Sequence, residues 1–171
     1  MSTSAIQTRT SVALRSTFSF PNPVNEKAAR SVAAMVVALG LTIILSGQLW
    51  LTAVLAYGFL ARVLTGPTLS PMGLLATRVL APRLGRPRLV AGPPKRFAQS
   101  VGLAFSTAAL GLHFAFGAST AASTVLGILV VFASLEAFLG FCAGCFVFNR
   151  LMRRGLIPRS VCEECVVGSA V

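Results

Sequence analysis

Four cysteines, arranged as two pairs, are the residues whose type and spacing best suit chemistry in this sequence. Cys142 and Cys145 form one pair, Cys162 and Cys165 form the other, and two residues separate the cysteines of each pair. This C-x-x-C spacing is typical of dithiols that exchange with disulfides and of thiolate ligands to a metal. The sixteen residues between the pairs also fit a four-cysteine zinc site. The sequence therefore predicts that all four are site residues.

Two chemistries remain open for these cysteines. In a redox hypothesis, Cys142 and Cys145 form a cytosol-facing catalytic dithiol that exchanges with the tail pair or handles sulfur, and a thioredoxin-like or sulfur-carrier protein is the expected partner. In a metal hypothesis, all four thiolates hold zinc or iron and tie the tail to the last helix of a scaffold protein. The sequence indicates no other cofactor, and it leaves open whether the protein is an enzyme.

Glu136 is a further candidate site residue, because it is the one charged residue between positions 97 and 148. A carboxylate in so apolar a stretch is costly and is a functional candidate by default. A third hypothesis is therefore a small transporter-like or structural bundle with Glu136 as its key residue. We expect a neutral acid that hydrogen-bonds a neighbouring helix, with Gln99 and Asn149 as polar partners. His113 is the sole histidine. It is expected near the outer end of the third span, too far from Glu136 to pair with it.

The elements that carry these residues have the composition of membrane helices. Of the 171 residues, 55% are hydrophobic and 11% are charged. That balance excludes a disordered chain and argues against a water-soluble domain. Residues 31–61 contain no charge, and residues 97–148 contain only Glu136. About 20 apolar residues cross ~30 Å of hydrocarbon, so each stretch, extended to its flanks and divided at a turn signal, supplies two spans.

The predicted fold is an all-α bundle of four transmembrane helices in two hairpins. Its spans are expected at about 25–45, 49–64, 97–116 and 120–148, with Asn25 capping the first. The central loop, 65–96, is expected to hold a short interfacial helix that begins at Ser70 and Pro71. The later prolines, through Pro93 and Pro94, are expected to keep the chain irregular up to Lys95.

Both ends of the chain are expected to be tails. Residues 1–24 are basic and rich in Ser and Thr; they predict a flexible tail, with a targeting segment as the alternative. Residues 155–171 form the C-terminal tail that contains the second cysteine pair.

We expect the last helix to run unbroken from Thr120 to Arg154. In such a helix Cys142 and Cys145 lie late, where the helix dipole disfavours a thiolate. At about 100° per residue Glu136 points away from both sulfurs, so no direct proton relay is expected.

Two pairs of small residues along this helix have a spacing of four, which lets another helix approach closely. They are Ala133, Ala137, Gly140 and Gly144. We expect the partner helix in the same bundle; a homo-oligomer is the alternative.

Basic residues indicate the orientation. All 15 Lys and Arg lie outside the two apolar stretches, against 4 acidic residues in the chain. They flank the spans at both termini and in the central loop, and the hairpin tips carry none. The positive-inside rule then predicts a multi-pass plasma (inner) membrane protein with both termini cytosolic.

The basic excess therefore favours contact with the lipid bilayer, and nucleic acid is not an expected partner. The sequence contains no Ser/His/Asp arrangement, phosphate loop or dinucleotide fingerprint, so those enzyme classes are excluded.

One segment, LEAFLGFCAGC at residues 135–145, resembles the signature of a bacterial membrane family called domain of unknown function 4395. The segments PVNE at 23–26, GPTLSP at 66–71 and RFAQ at 96–99 support the resemblance, as does the tail at 157–165. The resemblance covers residues 22–165 and implies a four-span membrane protein, with the N-terminal tail as an addition. It implies no activity.

Overall fold

Helices make up almost all regular structure in the computed structural model, which describes residues 20–158, 161 and 162. In chain order the α-helices are α1 (Glu26–Ser46), α2 (Thr52–Thr65), α3 (Pro71–Leu75), α4 (Ala81–Arg83), α5 (Gly92–Phe114), α6 (Ser119–Ser134) and α7 (Ala143–Arg153). A 3-10 turn, Leu49–Leu51, precedes α2, and π-helical segments, Ala76–Leu80 and Leu135–Leu139, follow α3 and α6. Two short strands, β1 (Val24–Asn25) and β2 (Leu89–Val90), pair antiparallel. The predicted all-α class is confirmed.

Within the described residues, two helical segments are long and apolar enough to cross a membrane. They are Glu26–Ser46 and Ser119–Leu139, each with a mean hydropathy of 2.1. Leu49–Thr65 is a shorter apolar helix. Length and composition thus support a membrane protein, whereas the four-span arrangement stays a prediction.

The first helix begins where the sequence predicts. Asn25 caps α1, and its side chain accepts a hydrogen bond from the Lys27 backbone N–H at 3.0 Å. Glu26 occupies the first turn, where a negative charge suits the helix dipole. The helix ends at Gly47, whose φ of 70° lies in the left-handed region that glycine tolerates best.

The core lies among α1, α2, α5 and α6. Its most buried large side chains are Val36 and Ile43 of α1, Leu55 of α2 and Leu126 of α6. The α5 helix packs against both α2 and α6, and α6 also packs against α1. The four longest apolar elements therefore form one bundle.

The central-loop helix starts at Ser70, as predicted. The Ser70 hydroxyl accepts a hydrogen bond from the Gly73 N–H at 3.2 Å, and Pro71 occupies the first turn. Ala76 and Ala81, farther along, are buried in the core of the bundle. The helix therefore lies against the bundle on one side, and its interfacial position stays a prediction.

The α5 helix begins earlier than predicted. It starts at Gly92 rather than at residue 97, with Pro93 and Pro94 in its first turn. The expectation that these prolines keep the chain irregular is wrong, because the first turn of a helix tolerates residues that lack a backbone N–H donor. This early start places Lys95 on a helix, where it faces the bundle.

The last helix is broken, and the predicted unbroken run from Thr120 to Arg154 is wrong. After the π-helical segment, Gly140 adopts φ 70° and ends the helix. The N–H of Phe141 donates to the Leu135 carbonyl at 3.1 Å, and the N–H of Gly140 donates to the Glu136 carbonyl at 3.1 Å. These bonds close the end of the π-helical segment, and each spans one residue more than the corresponding bond of a Schellman cap. The chain then restarts as α7.

Arg30 of α1 stabilises this break. Its guanidinium donates to the Ala137 carbonyl at 3.1 and 3.2 Å and to the Phe138 carbonyl at 2.9 Å. Carbonyls at a helix end have no partner within the helix, so a cation that binds them satisfies otherwise unpaired acceptors.

The α7 helix packs closely on α5. A Cβ atom added at Gly144 would lie 2.6 Å from the Cβ of Ala98, so only glycine permits this approach. For Gly144, the predicted close helix contact within the same bundle is confirmed.

Candidate functional site

The break at Gly140 places the first cysteine pair at a helix N-terminus. Cys142 is the N-cap of α7, with φ −93° and ψ 103°. Its sulfur accepts a hydrogen bond from the Cys145 backbone N–H at 3.4 Å. The Cys145 thiol donates to the same sulfur, and the two Sγ atoms lie 2.7 Å apart. The expectation that both cysteines lie late in a helix is therefore wrong: the dipole of α7 favours a Cys142 thiolate.

The two thiols of this pair differ in acidity. The hydrogen bond from the Cys145 side chain lowers the pKa of Cys142 below its ordinary value, although burial opposes this effect. The same hydrogen bond raises the pKa of Cys145, and burial raises it further. Cys142 is thus suited to be the attacking thiolate, and Cys145 is suited to stay protonated while Cys142 attacks.

Glu136 forms an ion pair with a residue from a neighbouring helix. Its Oε1 accepts a hydrogen bond from Lys95 Nζ at 2.6 Å, and the side chains are 13% and 9% exposed, respectively. Glu136 does hydrogen-bond a neighbouring helix, but its partner is a lysine, so the contact is an ion pair and not that of the expected neutral acid. Gln99 binds Arg62 instead, and Asn149 is exposed on α7.

A buried arginine extends this polar cluster. The Arg62 Nε atom donates to Gln99 Oε1 at 2.7 Å, and Nη1 donates to the Ser70 hydroxyl at 3.1 Å. Its guanidinium also lies over the Phe59 ring, with Cζ 4.6 Å from the ring centroid. Its Nη2 atom is buried and has no hydrogen-bond partner among the residues that the structure describes.

Sequence reasoning missed Lys95 and Arg62 as parts of the site. The charge pattern assigns both to the membrane surface, yet Arg62 has apolar neighbours on each side in the segment FLARVL, 59–64. A basic residue inside an apolar helix is a functional candidate in the same way as Glu136. The apolar neighbours of Arg62 are therefore a sequence signal from which this residue could have been predicted as part of the site.

A cavity of about 250 Å³ adjoins the dithiol. Cys142, Glu136 and Gln99 contribute to its lining, and the remaining walls are mainly apolar. Because Glu136 and Cys142 line one cavity, the break in the last helix brings together two candidate residues that a regular helix would keep on separate faces.

Cys162, from the second pair, packs against the same helix. It is 4% exposed and lies against Phe148 and Met152 of α7. Cys145, Phe148 and Met152 follow one another at spacings of three and four residues, so they form one stripe of α7. Cys162 takes part in a disulfide bond, whereas Cys142 and Cys145 are free thiols. Cys165 lies outside the described residues.

The cysteine geometry does not fit a metal site as it stands. Tetrahedral zinc with Zn–S bonds of about 2.3 Å would hold two sulfurs about 3.8 Å apart, and the Cys142 and Cys145 sulfurs are 2.7 Å apart. Among the described residues, no group of three or more His, Cys, Asp or Glu side chains is arranged to hold a metal ion. Zinc or iron binding stays a prediction, and it would require the sulfurs to separate and Cys162 to be reduced.

His113 lies at the end of α5, near the turn to α6. Its Nδ1 is 3.1 Å from the Ser119 hydroxyl, and its ring packs edge-on against Phe114. As expected, it does not pair with Glu136.

The comparisons with known proteins identify the family of this chain. A family profile described as "Domain of unknown function (DUF4395)" matches residues 24–153. The chain belongs to this family. No curated protein and no solved structure matches the chain.

The DUF4395 match sorts the candidate residues into two groups. It extends from β1 to the last residue of α7, and it therefore includes Cys142, Cys145, Glu136 and Lys95. Cys162 lies beyond it. The dithiol and the buried ion pair thus belong to the DUF4395 domain, and the tail cysteines lie outside the matched region.

Proposed function

We propose that this protein is a multi-pass membrane thiol–disulfide oxidoreductase whose reacting group is the Cys142–Cys145 dithiol. One observation carries the proposal: Cys142 caps the N-terminus of α7 and accepts hydrogen bonds from both the backbone and the side chain of Cys145. A low-pKa thiolate next to a protonated second thiol is the arrangement that disulfide exchange requires.

The exchange proceeds in two steps. The Cys142 thiolate attacks one sulfur of a substrate disulfide, forms a mixed disulfide and releases the other sulfur as a thiolate. Cys145 then loses its proton and attacks Cys142 Sγ, so that the substrate leaves as a second thiolate. The substrate gains two electrons, and Cys142 and Cys145 become a disulfide.

The tail supplies an exchange partner within the chain. Cys162, which takes part in a disulfide, packs on the α7 stripe that begins at Cys145. Once the Cys142–Cys145 dithiol has been oxidised, the tail pair in its reduced form would return it to the thiol form, and the tail pair would become the disulfide. A thioredoxin-like or sulfur-carrier protein would exchange with the tail pair and so keep it reduced.

The membrane arrangement in this proposal has four spans. They are α1, the segment Leu49–Thr65, α5, and the segment Ser119–Leu139. Large apolar side chains on the outer faces of the bundle are exposed, among them Leu41, Val54, Leu60 and Val131. Such an apolar outer surface suits lipid rather than water. The basic residues orient the termini and the central loop toward the cytosol.

The test is exchange of purified full-length protein with a glutathione redox buffer in detergent. We expect Cys142→Ser to abolish formation of the Cys142–Cys145 disulfide, and Cys145→Ser to accumulate a mixed disulfide at Cys142, detected by mass spectrometry. Asn149→Ser, an exposed change on the same helix, is the control. A wild-type dithiol that stays reduced in oxidising buffer would contradict the proposal.

A further inference from the structure

The cavity beside the dithiol has walls suited to a flat apolar ring. Its volume is about 250 Å³, and aromatic side chains from three helices line it, including Phe59 of α2, Phe105 of α5 and Phe132 of α6. Phe105 and Phe132 meet edge to face, with centroids 6.2 Å apart. Ligand cavities in proteins typically start near about 300 Å³. This smaller space therefore suits one ring system rather than a large cofactor.

The polar groups of the cavity suit a ring that carries carbonyl oxygens. Gln99 is oriented by its Oε1, which accepts from Arg62. Its side-chain NH₂ group therefore points away from Arg62 and can donate to a carbonyl oxygen. Arg62 and Lys95 do not line the cavity, but Arg62 binds Gln99 and Lys95 binds Glu136, so positive charge lies behind two of its lining residues. That charge would stabilise negative charge that develops on a bound oxygen during reduction.

Burial of Cys142 restricts what can react with it directly. The residue is 8% exposed, so a disulfide on a folded protein cannot reach its sulfur without opening the bundle. A small molecule within the cavity meets this sulfur, because Cys142 forms part of the cavity wall. The cavity therefore suits an oxidant that is small, apolar and able to accept two electrons.

We propose that this cavity binds the ring of a membrane quinone and that the Cys142–Cys145 dithiol reduces it. This inference rests on the proposed function and names its electron acceptor. In the reaction, the Cys142 thiolate forms a C–S bond to the quinone ring. Cys145 loses its proton and attacks Cys142 Sγ, and the C–S bond breaks with its electron pair moving to the ring. The thiols lose two electrons and two protons, and the quinone gains both as hydroquinone.

The experiment uses the full-length protein in lipid nanodiscs with decylubiquinone, a short-chain benzoquinone, as the probe. Protein reduced beforehand is mixed with the quinone, and hydroquinone formation is followed by absorbance, while mass spectrometry follows loss of the free thiols. We expect one hydroquinone per dithiol oxidised.

Val147→Trp tests the cavity itself. Val147 lines the cavity, and its side chain is half exposed, so a larger residue would fill the space without entering the core. We expect quinone reduction to slow on the order of 100-fold, and by a larger factor than exchange with glutathione. Phe146→Trp, at a neighbouring exposed position that does not line the cavity, is the matched control and should reduce quinone at the wild-type rate.

The outcomes separate this inference from the proposed function. Glutathione exchange without quinone reduction, or quinone reduction at equal rates in Val147→Trp and wild type, overturns the quinone site alone. If the wild-type protein shows neither glutathione exchange nor quinone reduction, the proposed function is overturned as well. A lipid acyl chain that occupies the cavity and is not displaced by the quinone also overturns the quinone site.

Discussion

At the scale of the residue, the site depends on hydrogen bonds that give chemically identical groups different properties. Cys142 and Cys145 are both thiols, but Cys142 accepts two hydrogen bonds and Cys145 donates them. Lys95 and Glu136 likewise exist as ions in an apolar bundle because each compensates the charge of the other. Replacing one residue of either pair should therefore act mainly through its partner, which loses a hydrogen bond or a compensating charge.

The acidity of Cys142 is one such effect. Cys142 should be alkylated by iodoacetamide with a pH midpoint below that of an ordinary cysteine, because hydrogen bonding lowers its pKa. Replacing Cys145 by Ala removes the side-chain donor, so the midpoint should rise. Cys145→Ser keeps a donor and should give a smaller rise. An unchanged midpoint in Cys145→Ala would show that the hydrogen bond does not control this thiolate.

The buried ion pair gives a second prediction. Lys95→Met leaves the Glu136 carboxylate without its partner and should destabilise the protein by about 3–5 kcal/mol. The double variant Lys95→Met with Glu136→Gln removes both charges and should recover much of that loss. Chemical unfolding in detergent would measure both. Equal losses in the single and double variants would indicate that the two residues do not interact.

At the scale of the element, the decisive feature is the interruption between α6 and α7. Without it, Cys142 would lie in the middle of a helix and would cap nothing. Gly140 ends the first segment, Arg30 binds the carbonyls that the break leaves, and Gly144 lets α7 approach α5. The short α7 thus owes its position to contacts with α1 and α5 as well as to its own sequence.

Gly140→Ala tests the break. A side chain at φ 70° is strained, so we expect a loss of about 1–2 kcal/mol of stability, together with slower disulfide formation by Cys142. Gly127→Ala is the control, because Gly127 lies within α6 with open space where a Cβ would stand. A stable Gly140→Ala variant with normal exchange would show that the left-handed turn is not needed to position the dithiol.

At the scale of the whole molecule, the helices form one bundle in which the dithiol, the ion pair and the cavity meet at α5, α6 and α7. The central-loop helix and the tail residue Cys162 also lie against this bundle. The exposed surfaces of the candidate spans are apolar, and the basic residues lie mostly at the ends of the helices and in the central loop. These features lead to a prediction about orientation.

Labelling with a membrane-impermeant maleimide would measure the orientation. In a chain whose native cysteines are replaced by Ser, Leu84→Cys in the central loop should be labelled from the cytosolic side only. Phe116→Cys, in the turn between α5 and α6, should be labelled from the outer side only. Both positions are exposed. Labelling of both from the same side would contradict the four-span arrangement.

The helices of this protein follow largely from local sequence signals, because apolar length, caps and turn residues act over a few positions. Asn25 and Ser70 cap helices at the positions that the sequence predicts, and Gly47 ends the first helix. The C-x-x-C spacing is likewise local, and it is sufficient to single out Cys142 and Cys145 as candidate site residues.

How that pair is used depends on tertiary contacts. The break after Gly140 is held by Arg30, which lies more than a hundred positions earlier in the chain. Lys95 reaches Glu136 from another helix, so no local pattern could assign that partner. A helix dipole acts only at a helix end, and whether Cys142 lies at an end or in the middle depends on these distant contacts.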